Sequence, residues 1–433
     1  MPAPAPPIAV LGAGLTGLSA SLHLQTAGIP HRVYEKSSQV GGLATTVEDS
    51  GYRFDRTGHL LHLGDPDLRE LVDDLIGDES TTVQRQARIW SQGTYTRYPY
   101  QANTFGLPPA VAYECLLGFL RAHFDAAGQK PSNFEEFCLL HFGDGFSRHF
   151  MLPYNERMWG VHPREITSEW CQRFVPKPRL EDVVAGAVGL SDRELGYNAR
   201  FLYPKLGIGQ LAASLARRIP AVELSRSPQR IDFRQRRLHF GNEVVPYRAL
   251  VSTVPLPVLV GLLEQPPPAV VAAAEKLRCN PLYYLDVALR APCRQPWHWV
   301  YVPEAKYPFY RVGCYSHFSS AMAPDGMGSL YVELVERNPP DLSRLLPELA
   351  KHLVEMNLIA STDDIAFARA RRLEHAYVVY DAAHAPARAT IHSFLLESSI
   401  LSTGRYGDWN YSSMEDALGF GRDAAVQTAT LIS

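Results

Sequence analysis

The chain has 433 residues, 46% hydrophobic and 20% charged, too long for one ordinary core and composed like a globular enzyme with two or three structural regions. A net charge of −3 leaves no basic footprint, so nucleic acid is not an expected partner. The most apolar stretch, Ala249 to Leu263, is broken by Pro255 and Pro257, and Met1 to Pro7 lacks the basic and apolar regions of a secretory signal; a cytoplasmic protein without a membrane span is expected.

The first predicted unit is a strand, Ile8 to Leu11, then Gly12-Ala13-Gly14-Leu15-Thr16-Gly17, then a helix from Leu18 to Gly28. Such a loop brings backbone N–H groups and a helix N-terminus against a pyrophosphate. Glu35 closes the next strand, His31 to Glu35, at the distance where an acidic side chain binds a ribose hydroxyl. A second glycine pair follows in Gly41-Gly42-Leu43, where the backbone can pass close to a ligand. This pairing resembles flavoproteins of the amine-oxidase and glutathione-reductase type, which implies FAD rather than NAD.

From Leu107 to about Leu180 the pattern turns helical: Pro108-Pro109 opens a periodic stretch through Phe124, and Ser132-Asn133-Phe134-Glu135-Glu136 reads as a capped helix start. Leu211 to Arg218 reads as a short amphipathic helix, and Arg230 to Phe233 with Leu238 to Phe240 as a hairpin. Ala249 to Pro255 reads as a buried strand. Tyr283 to Leu289, Trp299 to Val302, Tyr310 to Tyr315 and Ser329 to Val335 suggest a mixed sheet, and Asp416 to Ile432 a helix returning to the nucleotide unit. The six cysteines form no Cys-x-x-Cys pair, and His59 and His62 have no further ligands in pattern, so no metal site is expected.

Several distant segments crowd Arg, Tyr, Trp and Asn beside Pro or Gly: Tyr98-Pro99-Tyr100-Gln101, Pro153 to Trp159, Trp170 to Arg173, Trp299-Val300-Tyr301, Pro308-Phe309-Tyr310-Arg311, His375-Ala376-Tyr377 and Gly404 to Tyr411. With Phe54-Asp55-Arg56-Thr57-Gly58-His59, these make the chain resemble the UDP-galactopyranose mutases, the eukaryotic type more than the short bacterial one. The resemblance implies conversion of a UDP-sugar between pyranose and furanose forms, with attack on the anomeric carbon by N5 of reduced FAD. NADPH is the candidate reductant, and a homo-oligomer is compatible with the family.

The same resemblance implies the site. Arg311 and Arg173 hold the diphosphate, and His59 responds to the flavin. Gly12, Gly14, Gly17, Glu35, Gly41, Gly42, Leu43, Gly58, Arg405, Tyr411, Ser412 and Met414 bind the cofactor. Tyr301, Tyr377 and Tyr411 add hydroxyl contacts to phosphate, Tyr98, Gln101, Phe150, Asn155 and Trp159 line the uridine end, and Asn198 lies in a flap. Phe318 stands where these mutases usually carry another phosphate-binding tyrosine, and Thr57 replaces one glycine of the usual Gly-Gly-His.

The expected fold is α/β: a discontinuous Rossmann-type FAD-binding domain over 1–82, 204–278 and 391–433, with a substrate β-sheet over 83–106 and 279–390. Residues 107–180 form a helical insert and 181–203 a flap or sheet segment. Two competing functions remain: a flavin amine oxidase or protoporphyrinogen-oxidase-like oxidoreductase, and a mutase for a different nucleotide sugar. Hydride acceptance favours an apolar slot or aromatic cage, whereas a diphosphate needs paired cations.

Overall fold

The computed structural model describes residues 5–125, 129–190 and 199–432, without the side chains of Gln172 and Arg173; Asn198 lies outside the described residues. A five-stranded parallel sheet runs in the order Ile400–Ser402, Leu250–Ser252, Ile8–Leu11, His31–Tyr34, Val222–Glu223. The central strands Ile8–Leu11 and Leu250–Ser252 are buried throughout because both faces are covered, whereas His31–Tyr34 leaves Arg32 exposed. The helix Leu15–Thr26 buries Leu18, Ala20 and Leu24 under this sheet. The last helix, Met414–Ile432, packs on it so closely that a Cβ at Gly421 would overlap Thr16 O.

A seven-stranded mixed sheet follows the order Ile365–Val378, Cys279–Leu289, Gly328–Leu334, Phe309–Cys314, Trp299–Tyr301, Ala87–Ser91, Thr94–Arg97. Every pairing is antiparallel except that of Trp299–Tyr301 with Ala87–Ser91. Alternation sorts its two faces. Leu285, Val287, Val312, Leu330, Val332 and Leu334 join Leu349 and Leu353 of the helix Leu342–Glu355 in one core. Tyr284 and Tyr310 belong instead to the core shared with the helices Pro109–Asp125, Phe134–Phe146 and Leu152–Trp159.

Local sequence accounts for the helix boundaries. Asn133 caps its helix through the Glu136 N–H at 2.9 Å, and Glu136 returns a carboxylate to Ser132. The predicted hairpin forms between Arg230–Asp232 and Arg237–Phe240 and gains a third strand, Glu243–Pro246.

Candidate active site

The two glycine loops meet at the C-terminal edge of the parallel sheet. Gly12 leaves its strand at φ +97°, and Gly17 passes so near that a Cβ there would overlap Gly12 O. Gly41 N–H donates to Ala13 O at 2.8 Å, and a Cβ on Gly42 would lie 3.2 Å from Gly14 Cα. These approaches leave a cradle of bare backbone. The helix Leu15–Thr26 begins at Gly14 without a side-chain cap and without an acid in its first turn, so its first N–H groups and dipole are suited to a phosphate. Glu35, buried beside the loop, accepts from Ala13 N–H at 2.7 Å and Ser37 N–H at 2.8 Å. Its remaining lone pairs suit ribose hydroxyls. Leu43 extends from the second loop into the aromatic core of the helical layer.

The C-terminal segment closes the cradle. Arg405 donates to Ser412 O at 2.7 Å and Ala376 O at 3.1 Å, and its guanidinium lies 4.8 Å from the Tyr411 ring centroid. It thereby ties the loop after Ile400–Ser402 to the end of the strand Ile365–Val378. The Ser412 hydroxyl is buried without a hydrogen-bond partner among the described residues, and Met414 opens the last helix. Bare glycine backbone, an uncapped helix, a placed carboxylate and an unpartnered hydroxyl together fit a dinucleotide with a polar isoalloxazine.

The seven-stranded sheet supplies the floor. Tyr301, Arg311, Glu333 and Tyr284 are register partners on four adjacent strands. Arg311 forms a two-armed pair with Glu333, at 3.0 Å from Nε and 2.6 Å from Nη2, and its Nη2 also donates to Tyr377 Oη at 3.3 Å. The neighbouring Tyr331 ring fills the space a Gly313 side chain would take, and its hydroxyl abuts Gly58. The His59 loop is thus seated on this floor. Burial, then the charges of Arg405, Arg311 and Arg56, push the His59 pKa down to about 4, so its imidazole is neutral near pH 7. Three guanidinium groups thus act on His59.

The expected residues divide into two groups. His59, Tyr301, Arg311, Tyr377, Arg405 and Tyr411 come together; Tyr377 and Tyr411 lie 6.3 Å apart and nearly parallel. Tyr98 packs on Tyr301 at 5.2 Å. The rest of the uridine-end set packs among neighbouring rings and backbone carbonyls. Trp159 is fully enclosed by Trp170, Tyr377, Tyr380 and Tyr411, and Phe150 stacks between Tyr100 and Tyr154, because burying aromatic area there joins helices to sheet. Gln101 spends its amide on Pro176 O and Asn155 on Met151 O. Arg173 lies in the short helix Cys171–Phe174.

Sequence reasoning missed Glu333 and Tyr154. Glu333 is the one acid in the apolar run Gly328–Leu334, which is its signal. Tyr154 lies in a segment already noted for aromatics; its buried hydroxyl has no partner among the described residues, and its ring meets Tyr301 edge-on at 5.3 Å. Phe318 is core, packed on Tyr203 and His298. Thr57 adopts φ +70° while buried. Away from this site, Cys293, Cys314 and His317, which show no ligand spacing in the sequence, converge in three dimensions.

A glycine cradle on a parallel sheet, joined to a mixed sheet with a cationic floor, defines a dinucleotide-dependent flavoprotein. Residues 15–427 match the family of flavin containing amine oxidoreductases, and the chain belongs to that family. Its structure superposes on that of reduced UDP-galactopyranose mutase with a TM-score of 0.93 and 26% identity, over 99% of this chain and 95% of the other. Wild-type putrescine oxidase bound to putrescine shares the fold at a TM-score of 0.71 and 15% identity, over 99% of this chain and 100% of the other. A 1-hydroxycarotenoid 3,4-desaturase of Flavobacterium sp. (strain P99-3) is 31% identical over 110 residues, 24% of this chain. That match spans about a fifth of the desaturase's length, 22%. Among the described residues no helix is long and apolar enough to cross a membrane.

Proposed function

We propose that this flavoenzyme interconverts UDP-galactopyranose and UDP-galactofuranose. The observation that carries this reading is Arg311, presented from the sheet floor with Tyr301 and Tyr377 beside it and the His59 loop and Arg405 close by. When bound and reduced, FAD supplies the nucleophilic centre for the sugar, with NADPH as the candidate reductant.

The side chains of the chain do the remaining work. Arg311 offers guanidinium donors not used by Glu333 to the diphosphate, and Arg173 is its proposed partner. Tyr301, Tyr377 and Tyr411 present hydroxyl donors to the same oxygens. His59, neutral at pH 7, can exchange a hydrogen bond beside the flavin without adding charge. Edge-to-face aromatics around Tyr154, Tyr301 and Tyr411 exclude water, which strengthens each of these contacts.

Amine oxidation, the chemistry named by the family, asks this site to receive a cationic amine. Arg405 and Arg56, with Arg311 offset by Glu333, leave a net positive charge around His59 that repels that substrate and attracts a diphosphate. The test is anaerobic turnover of UDP-galactofuranose by dithionite-reduced and oxidised holoenzyme. Pyranose product from the reduced form alone supports the reading. Equal rates in both states, or flavin reduction by a primary amine with no isomerisation, would overturn it. Conversion of another nucleotide sugar in preference would keep the mutase chemistry and change the sugar.

A further inference from the structure

Cys293, Cys314 and His317 are brought together from two separate pieces of chain. Each offers one ligand atom, and the three atoms lie within 4.8 Å of one another. Cys314 ends the strand Phe309–Cys314, and His317 lies three residues on in the short helix Tyr315–Phe318. Cys293 comes from the loop after the strand Cys279–Leu289. That loop is drawn tightly against the next strand of the sheet: a Cβ on Gly328 would lie 3.1 Å from Ala291 O and 3.2 Å from Cys293 N. Both thiols are buried, at 8% and 2% exposure, whereas His317 reaches toward the surface.

The imidazole carries the second observation. His317 Nδ1 lies 2.9 Å from Trp297 O, and a carbonyl only accepts, so Nδ1 holds the proton and the lone pair resides on Nε2. Fixing one ring nitrogen on a backbone carbonyl is how proteins set the tautomer of a metal-binding histidine. A pair of thiols kept only for packing has no need of an imidazole so oriented. The Ser316 hydroxyl, 3.2 Å from Cys314 Sγ, is the neighbouring group for a fourth position.

We propose that Cys293, Cys314 and His317 bind a zinc(II)-class cation that clamps the loop after Leu289 to the end of the strand Phe309–Cys314. Two thiolates and one imidazole are a ligand set of borderline softness, which favours zinc over calcium or magnesium. Binding releases the two thiol protons to solvent and changes no oxidation state. Both cysteines belong to the core that includes Leu349 and Leu353, on the sheet face away from Arg311 and Glu333. Flavin content is therefore independent of the metal.

The test is zinc per chain in holoenzyme purified with added zinc and dialysed without chelator, read by elemental analysis. One equivalent is expected. His317→Ala and the Cys293→Ser/Cys314→Ser pair should lower retained zinc about 10-fold or more with flavin content unchanged, and Cys138→Ser, at a buried thiol in the helical layer, should not. Wild-type protein loaded with cobalt(II) should show the long-wavelength d–d bands of a tetrahedral thiolate site, a readout that needs no variant to fold. A wild-type protein that retains no zinc and gives no such bands, zinc unaffected by His317→Ala, or an intact mass short of two hydrogens because the cysteines form a disulfide would overturn the proposal.

Discussion

Arg311 is held by both carboxylate oxygens of Glu333, and Glu333 has no exposed surface while the Arg311 side chain remains 21% exposed. The acid sits beneath and the cation faces the site. Such a pair fixes the guanidinium plane before any ligand arrives, which lowers the ordering cost of binding an anion.

Removing Arg311 therefore has two separable effects. Arg311→Ala should abolish turnover and, by leaving a buried carboxylate unpaired, destabilise the fold by about 3–5 kcal/mol. The double variant Arg311→Ala/Glu333→Gln should recover most of that stability and none of the turnover. Denaturant titration and isomerisation assays on the same preparations separate the two effects. Recovery of turnover in the double variant would show that Arg311 serves only to neutralise Glu333.

His59 gives a pH dependence of defined sign. Its folded pKa, about 4, lies below the ordinary 6.5, so between these values the unfolded chain binds the proton and the folded chain does not. The stability contribution is thus present above about pH 6.5 and is lost as pH falls toward 4, amounting to about 1–2 kcal/mol at about pH 5. His59→Asn should weaken the pH slope of the unfolding midpoint in that window. Identical slopes for variant and wild type would contradict the assigned environment.

Thr57 is a β-branched residue at φ +70°, a conformation that costs of order 1–3 kcal/mol outside glycine. Thr57→Gly should raise stability by about 1 kcal/mol and leave flavin content unchanged. A loss of stability on thermal or urea melting would mean that the threonine side chain contributes more by packing than its backbone costs.

Trp159 and Phe150 are enclosed by other rings, so their truncation should read as a folding defect. Trp159→Ala should cost about 3–5 kcal/mol. Trp159→Phe should cost much less, because it keeps an aromatic ring and removes an indole N–H that has no partner among the described residues. A Trp159→Phe protein with wild-type melting and a greatly raised KM for the nucleotide sugar would return Trp159 to the uridine pocket.

The cradle was legible because its determinants are local: Gly12, Gly17 and Glu35 lie within one strand, helix and strand, and each answers a backbone requirement visible in spacing. Asn133 and its cap were legible for the same reason. Glu333 was not, since its meaning comes from standing opposite Arg311 on a neighbouring strand, and register across antiparallel strands is set by tertiary packing. Cys293 and Cys314 read as scattered thiols because the sheet strand Trp299–Tyr301 intervenes between them and only the fold brings them together. For Trp159 and Phe150 the sequence leaves two readings open, because an aromatic in a polar segment looks the same whether its ring closes a core or a cleft.

The central claim is that Arg311 binds the diphosphate of a nucleotide sugar while Glu333 holds it in place. Its most direct test is a crystal structure of the reduced holoenzyme with UDP. The account predicts diphosphate oxygens within hydrogen-bond distance of Arg311, with the Glu333 pair intact and Tyr377 nearby. UDP bound with its phosphates remote from Arg311 would contradict it.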